Sequence, residues 1–253
     1  MKRLVIKVGS AVLTENNNIA KERMLNLVSF IAELKRTYDV VLVTSGAVAA
    51  GYAALKLDKS KQIGKKALAA AGQPILMSGY KRKFDIYDID TAQILLTEDD
   101  FDSRKRTKMF QEIIDAHLQH NILPIVNEND ITSTPEQLFG DNDQLSANVA
   151  YAIGAEKLII LSDIDGYYDK NPKEHADAQL RKKVSALSEQ ELHDDASPNA
   201  FFATGGIVTK LKAADFVMRH GIDMFLCSGF DLGAARVFLL EGKQTEGTLF
   251  TSA

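Results

Sequence analysis

The chain has 253 residues, 45% of them hydrophobic and 25% charged, which is ordinary globular usage with enough length to bury a substantial core. A formal charge of -4 and a pI near 5.8 argue against a protein built to coat nucleic acid or an anionic membrane, so an anionic ligand must be met by locally placed cations. The one cysteine, Cys227, excludes an intramolecular disulfide and a cysteine-based zinc site; in the run I-D-M-F-L-C it reads as a small buried hydrophobe.

The basic start Met1-Lys2-Arg3 leads into an apolar run broken by Lys7 and Ser10, too early for a signal-peptide core. No stretch approaches the roughly 20 apolar residues of a membrane span, and the reading is a soluble, cytoplasmic protein. Short runs rich in Val, Ile and Leu at 4–8, 40–43, 92–96, 122–126, 158–161 and 224–227 predict buried strands. Helical patterns lie between and after them, at 20–36, 61–83, 103–120, 143–153, 208–220 and 232–240. This alternation predicts an α/β fold, a mostly parallel sheet covered on both faces through right-handed crossovers. No internal repeat, low-complexity tract or Pro/Gly/Ser-rich linker divides the chain, and the least regular stretch, 164–199, fits either a flap or nucleotide-side loop or a plain surface excursion.

In such a sheet the ligand sits beyond the carboxyl ends of the strands. The residues there are K-V-G-S, T-S-G-A, N-E-N-D and S-D-I-D-G, all polar or Gly-rich. Lys7 stands in a strand that is otherwise apolar, and Gly9 lets the backbone approach a ligand, so the pair suits phosphoryl oxygens; a solvent-facing lysine is the plainer alternative. In T-S-G-A-V-A-A-G (44–51), Ser45 and Gly46 offer donors to a small carboxylate at a helix start, and the small residues equally suit close helix packing. A-T-G-G-I-V-T-K (203–210) opens a helix with two glycines and free N–H groups that favour an anion. Lys210 in its first turn opposes the helix dipole, which a bound anion would compensate.

The stretch V-N-E-N-D-I-T-S-T-P-E-Q-L-F-G-D-N-D-Q-L-S-A-N (126–148) is dense in carboxylates and amides. Asp141 with Gln144 reads as a helix cap and its partner. That leaves Asn127, Asp130, Asn142 and Asp143, which suit an ammonium group, lysine orientation or a polar substrate better than an all-protein metal site. The five histidines lack metal-ligand spacing, and P-loop, G-x-G-x-x-G, protein-kinase and G-x-S-x-G signatures are absent. Lys81-Arg82-Lys83 and the run R-K-R-T-K at 104–108 read as solvated helix faces, and Tyr167-Tyr168 as packing in a turn.

Taken together and in this order, K-V-G-S, V-T-S-G-A-V-A-A-G, I-V-N-E-N-D, F-G-D-N-D-Q-L-S-A, L-S-D-I-D-G and G-G-I-V-T-K resemble the amino acid kinase family, in the branch that phosphorylates L-glutamate. The resemblance runs from residue 2 to residue 250. It implies a three-layer αβα sandwich in one domain spanning 1–253, the N-terminal part serving the acceptor and the part from about 155 the nucleotide. It also implies ATP-dependent phosphorylation of the glutamate γ-carboxylate with Mg2+, as the first step of proline biosynthesis. On matching positions, Lys7 and Lys210 would contact the phosphoryl group and Asp143 would organise the lysines. Ser45, Gly46, Asn127, Asp130 and Asn142 would form the glutamate site. Gly9, Ser162, Asp163, Thr204, Gly205, Gly206 and Ile207, with both lysines, would line the nucleotide, and Asp163 would count with Lys7, Lys210 and Asp143 among the catalytic residues. Magnesium would be held mainly by ATP phosphates and water, with no direct protein ligand assigned. Implied partners are L-glutamate, ATP, proline as a feedback inhibitor and a second copy of the chain, with no nucleic acid or membrane.

The sequence departs from the family pattern at Ser162, where threonine is common, and at Tyr167, where leucine is frequent; many members also carry a C-terminal PUA domain for which the chain shows no segment. Two readings stand beside the first: a kinase of the same fold for N-acetylglutamate, aspartate, carbamate or UMP, and a catalytically silent amino-acid sensor. Asp130 favours glutamate, because a carboxylate suits a free ammonium and opposes an acylated amine or a phosphate.

Overall fold

A computed structural model describes residues 1–58, 60–133, 142–172, 174–192 and 206–252. In chain order the strands are β1 (Lys2–Val8), β2 (Thr14–Glu15), β3 (Asn18–Ile19), β4 (Tyr38–Val43), β5 (Thr91–Leu96), β6 (Leu123–Glu128), β7 (Lys157–Ser162), β8 (Lys183–Val184), β9 (Asp223–Ser228) and β10 (Thr248–Phe250). The helices are α1 (Ser10–Leu13), α2 (Lys21–Leu34), α3 (Ala47–Leu55), α4 (Gln62–Phe84), α5 (Asp99–Asp102), α6 (Arg104–Gln119), α7 (Asn142–Ala152), α8 (Glu189–Leu192), α9 (Ile207–Arg219) and α10 (Gly233–Arg236), the last running into a π turn (Val237–Glu241). Each predicted strand and helix is present. The short β2–β3 hairpin, β8, β10 and the brief helices carry too few residues to leave a periodic signal.

The main sheet orders its strands β5-β6-β4-β1-β7-β9-β10-β8. Every pairing from β5 to β9 is parallel, and β10 runs antiparallel to β9. The chain starts in the middle with β1, builds outward through β4, then crosses to β7 on the other side. β1 is therefore the topological switch point, where an open parallel sheet leaves a crevice at its carboxyl edge.

Side chains alternate across a strand, so each strand feeds two cores. Val5, Val41, Val43, Val126, Leu158, Ile160, Met224 and Leu226 pack against α6, α7 and α9. Leu4, Ile6, Val40, Leu42, Ile125, Ile159, Leu161 and Phe225 pack against α2 and α4. Two largely apolar faces make three layers, and they explain why the strands read as hydrophobic runs.

The small residues after β4 resolve into a packing contact. A methyl group on Gly51 would come 1.9 Å from the Leu68 carbonyl oxygen, and one on Gly72 would come 1.8 Å from that of Ala47. Only glycine lets the α3 and α4 backbones approach this closely. Cys227 is buried as expected, and burial raises its thiol pKa. The two basic stretches lie on exposed helix faces with ion pairs such as Lys81 to Asp85 at 2.6 Å and Lys108 to Glu112 at 3.9 Å.

The irregular stretch after β7 is pinned near its start. Tyr167 is buried, stacked on Phe250 at 6.2 Å, and donates its hydroxyl to Glu191 at 2.8 Å. Arg181 bonds the same carboxylate at 2.6 Å and lies 4.9 Å from the Tyr167 ring centre. Tyrosine at 167 thus serves packing with a polar tip, as the sequence predicts. Among the described residues no helix is long and apolar enough to cross a membrane.

Candidate active site

Alternation along β1 puts Lys7 on the same face as Val5, towards α7 and α9. There it is 1% exposed, and Lys210 from the first turn of α9 is 4% exposed, so neither is a solvent lysine. Between them the fully buried Asp143, in the first turn of α7, accepts from Lys7 Nζ at 2.5 Å on one oxygen and from Lys210 Nζ at 3.0 Å on the other. Burial pushes the Asp143 carboxyl up, but the charges and hydrogen bonds of the two lysines outweigh it and hold the group well below the usual carboxylate range. Its place at a helix N-terminus favours the charged form as well.

Lys210 also donates to the Gly206 carbonyl at 2.9 Å. Thr209 reaches both the second Asp143 oxygen at 3.0 Å and the same carbonyl at 3.1 Å. Thr209 was not among the sequence-predicted residues, although it adjoins Lys210 in the helix opening. Gly9 closes the other side: its N–H bonds the Leu161 carbonyl at 3.0 Å, and a methyl group there would stand 4.0 Å from Lys7 Nζ. The absent side chain keeps the approach to the ammonium open. At the end of β7, Ser162 donates to Asp163 at 3.0 Å, and Asp163 is exposed at the strand end.

A second cluster occupies the ends of β4 and β6. Asn142 donates to the Thr44 backbone carbonyl at 2.5 Å, the Ser45 hydroxyl at 3.2 Å and the Asn127 side-chain Oδ1 at 2.8 Å. Asn127 passes the chain on to Gln73 of α4 at 2.8 Å, and Gln73 to Gln93 of β5 at 3.0 Å. Thr44 shares a 2.8 Å bond with the buried hydroxyl of Tyr80. Gly46 caps α3 with φ at 104°, a left-handed backbone that favours glycine. Asp130 follows in the turn after β6. Burial holds its carboxyl above the ordinary carboxylate value, and its own backbone hydrogen bond and the charge of Lys66 offset only part of that.

Asn142 and Asp143 are neighbours in sequence, so the two clusters share one helix start. The structure brings together Lys7, Gly9, Asp143, Gly206 and Lys210 on one side and Ser45, Gly46, Asn127 and Asn142 on the other. Ile207 contributes its side chain to the core, which leaves its backbone N–H as its polar offering. Thr204, Gly205 and the Asp141 cap lie outside the described residues.

The profile of the amino acid kinase family matches residues 2–228. The chain belongs to the amino acid kinase family. Among relatives of this kinase-family chain, the glutamate 5-kinase of Wolinella succinogenes is 56% identical, over 99% of this chain and 98% of its own length. That of Leishmania donovani is 51% identical over 100% and 96%, and that of Clostridium acetobutylicum 42% over 99% and 94%. Solved structures share the fold at lower identity. An isopentenyl phosphate kinase matches with a TM-score of 0.68 at 18% identity, covering 98% of this chain and 100% of that one. The carbamate kinase from Giardia lamblia bound to AMP-PNP matches with 0.68 at 16%, over 100% and 99%.

Proposed function

We propose that this chain phosphorylates the γ-carboxylate of L-glutamate with ATP, giving L-glutamyl 5-phosphate and ADP, the first step of proline biosynthesis. The observation that carries it is the buried Asp143 carboxylate holding two lysine ammonium groups at the carboxyl edge of the sheet. The relatives named glutamate 5-kinase, alike over nearly their full length, support glutamate as the acceptor.

A glutamate γ-carboxylate has a reference pKa of ~4.3 and is ionised at neutral pH, so its attack needs no general base. One carboxylate oxygen bonds the γ-phosphorus as the bond to the β,γ-bridging oxygen breaks, and that electron pair leaves on ADP. The obstacle is charge: at ~4 Å each like-charge contact costs about 1 kcal/mol in water and about 4 kcal/mol at an effective dielectric of ~20. Lys7 and Lys210, each with three N–H donors, offset that repulsion on the transferring oxygens, and the α9 N-terminus adds backbone donors. Asp143 fixes both ammonium groups in advance, so little reorganisation accompanies the reaction.

Magnesium would be held mainly by nucleotide phosphates and water and would supply neutralisation of phosphate charge; the exposed Asp163 beside Ser162 is a carboxylate suited to such a hard cation, since Asp143 is committed to the lysines. On the acceptor side, Asp130 takes the substrate ammonium, while Ser45, the Gly46 backbone, Asn127 and Asn142 orient its carboxylates. A desolvated carboxylate gains most from an arriving cation, which is how Asp130 separates glutamate from N-acetylglutamate.

The test is ADP release from MgATP with L-glutamate, N-acetyl-L-glutamate, L-aspartate and UMP in parallel, with hydroxylamine trapping the acyl phosphate. Turnover with glutamate yielding the γ-hydroxamate is expected; preference for another acceptor would overturn the assignment of Asp130. Glutamate binding by calorimetry with no ADP formed would instead mark a sensor.

A further inference from the structure

Helix α4 reaches the turn that follows β6 through one side chain. Lys66 Nζ donates to the carbonyl oxygens of Ile131 at 3.0 Å and Ser133 at 2.7 Å. The turn is closed from within on Asn129, whose carbonyl accepts from the N–H groups of Thr132 and Ser133 and from the Ser133 hydroxyl. The Asn129 N–H bonds the Leu96 carbonyl at the end of β5. Asp130 is therefore held between an anchor on the sheet and a clamp from α4.

We infer that Lys66 is a positioning residue for the acceptor amino acid: by binding the two carbonyls that follow Asp130, it fixes the turn that presents this carboxylate to the substrate's ammonium group. The inference rests on the reading of Asp130 given under the proposed function. No assigned role in the phosphoryl chemistry or the glutamate site includes Lys66.

Two features separate this from simple loop bracing. A neutral donor could close a turn on two carbonyls, yet the group present is an ammonium, and among the described residues Lys66 is the charged side chain that acts on Asp130. Its donors go to the backbone, and it makes no ion pair with Asp130 among the described residues. The nearby charge thus favours the ionised carboxylate without taking up its oxygens in an ion pair. Burial already outweighs that charge and holds the carboxyl above its ordinary value, so removing the cation raises it further.

The experiment is steady-state kinetics on the full chain carrying Lys66→Met or Lys66→Arg, with KM measured separately for glutamate and MgATP and kcat/KM for glutamate followed from pH 8 downward. For Lys66→Met the KM for glutamate should rise on the order of tenfold, as for loss of charge-assisted hydrogen bonds that hold a binding group, with the KM for MgATP within about twofold of wild type. The acid limb of its profile should move to higher pH, because Asp130 protonates more readily. Glutamate's own carboxyl groups titrate identically with every variant, so the displacement reports the protein. Lys66→Arg should keep the limb at its wild-type position. An unchanged glutamate KM in Lys66→Met, an equal rise in both KM values with an unmoved limb, or a displaced limb in Lys66→Arg would overturn the inference. Should Lys66→Met not fold, Lys66→Gln, which retains a donor without the charge, is read by the same limb. If the wild-type chain turns over another acceptor and not glutamate, the proposed function fails first. Normal glutamate turnover with unaffected variants sinks the role of Lys66 alone.

Discussion

Replacing Asp143 with asparagine keeps the shape of the side chain and removes the charge that the two lysines share. One oxygen remains to accept from Lys7 or Lys210, and the new amide turns its own N–H groups towards the other ammonium. Lys7 bonds Asp143 at 2.5 Å and Lys210 bonds it at 3.0 Å, all three groups being buried, so solvent cannot take over the lost interaction. Removing one partner from a buried ion pair typically costs about 3–5 kcal/mol. For a chain of this size each kcal/mol lowers Tm by about 2–4 °C, which places the expected drop at roughly 6–20 °C. Because the lysines would lose their fixed orientation, kcat should fall by about 100-fold or more, comparable with loss of a transition-state donor.

The pH dependence gives the same experiment a signature. The folded-state pKa of Asp143 lies below its ordinary value, so its stabilisation is complete above ~3.9, the reference for an unfolded aspartate, and fades as pH falls through the folded value. Thermal unfolding of wild type and Asp143→Asn should therefore show a constant Tm gap between pH 5 and pH 8 that narrows only under stronger acid. A variant within about 2 °C of wild type at pH 7 and with unaltered kcat would refute the view that this carboxylate organises the site.

Lys7→Ala and Lys210→Ala should each lower kcat by about 100-fold to 1,000-fold, with the KM for glutamate affected far less, as single-turnover and steady-state measurements would show. Retained turnover in both would remove them from the phosphoryl site. Asp130→Asn should raise the KM for glutamate by about 10-fold to 100-fold, as expected for loss of a charged hydrogen-bond partner, and leave the KM for MgATP nearly unchanged; an unaltered glutamate KM would exclude an ammonium contact. Gly72→Ala places a methyl group 1.8 Å from the Ala47 carbonyl oxygen and should cost about 1–3 kcal/mol by overpacking, read as a lower Tm. A stabilised variant would mean that α3 and α4 separate at no cost.

Much of this site is legible in the sequence because parallel strands announce both themselves and their ends. Lys7 stands out as a charge within L-V-I-K-V, and the polar clusters after 126 and 161 fall where the carboxyl edge must lie. What the linear order hides is the bridging: Asp143 meets residues 136 positions before it and 67 after it, and no local pattern encodes such closure. The amide chain is a different case. Gln73 lies on the same stripe of α4 as the buried Ala69, Leu76 and Tyr80, so a glutamine at an apolar position was a signal that helical periodicity contained. Lys66 carried none, since a lysine near the start of a helix looks like any solvated side chain until the turn after β6 is folded against it.

On the proposed function, the two clusters divide the chemistry between parts of the fold that differ in how freely they can change. Lys7, Asp143 and Lys210 come from β1, α7 and α9 and meet at the topological switch point, where a buried carboxylate must be matched by cations to be tolerated at all. Altering any one of the three leaves the other two miscompensated. The proposed acceptor side hangs on β4, β6, α4 and the turn carrying Asp130, and its hydrogen bonds run through amides and a partly exposed lysine, groups whose replacement costs less. Asn142 and Asp143 stand side by side at the start of α7, one bonding the end of β4 and the other Lys7 of β1, so this helix start is the point at which the two clusters must stay in register.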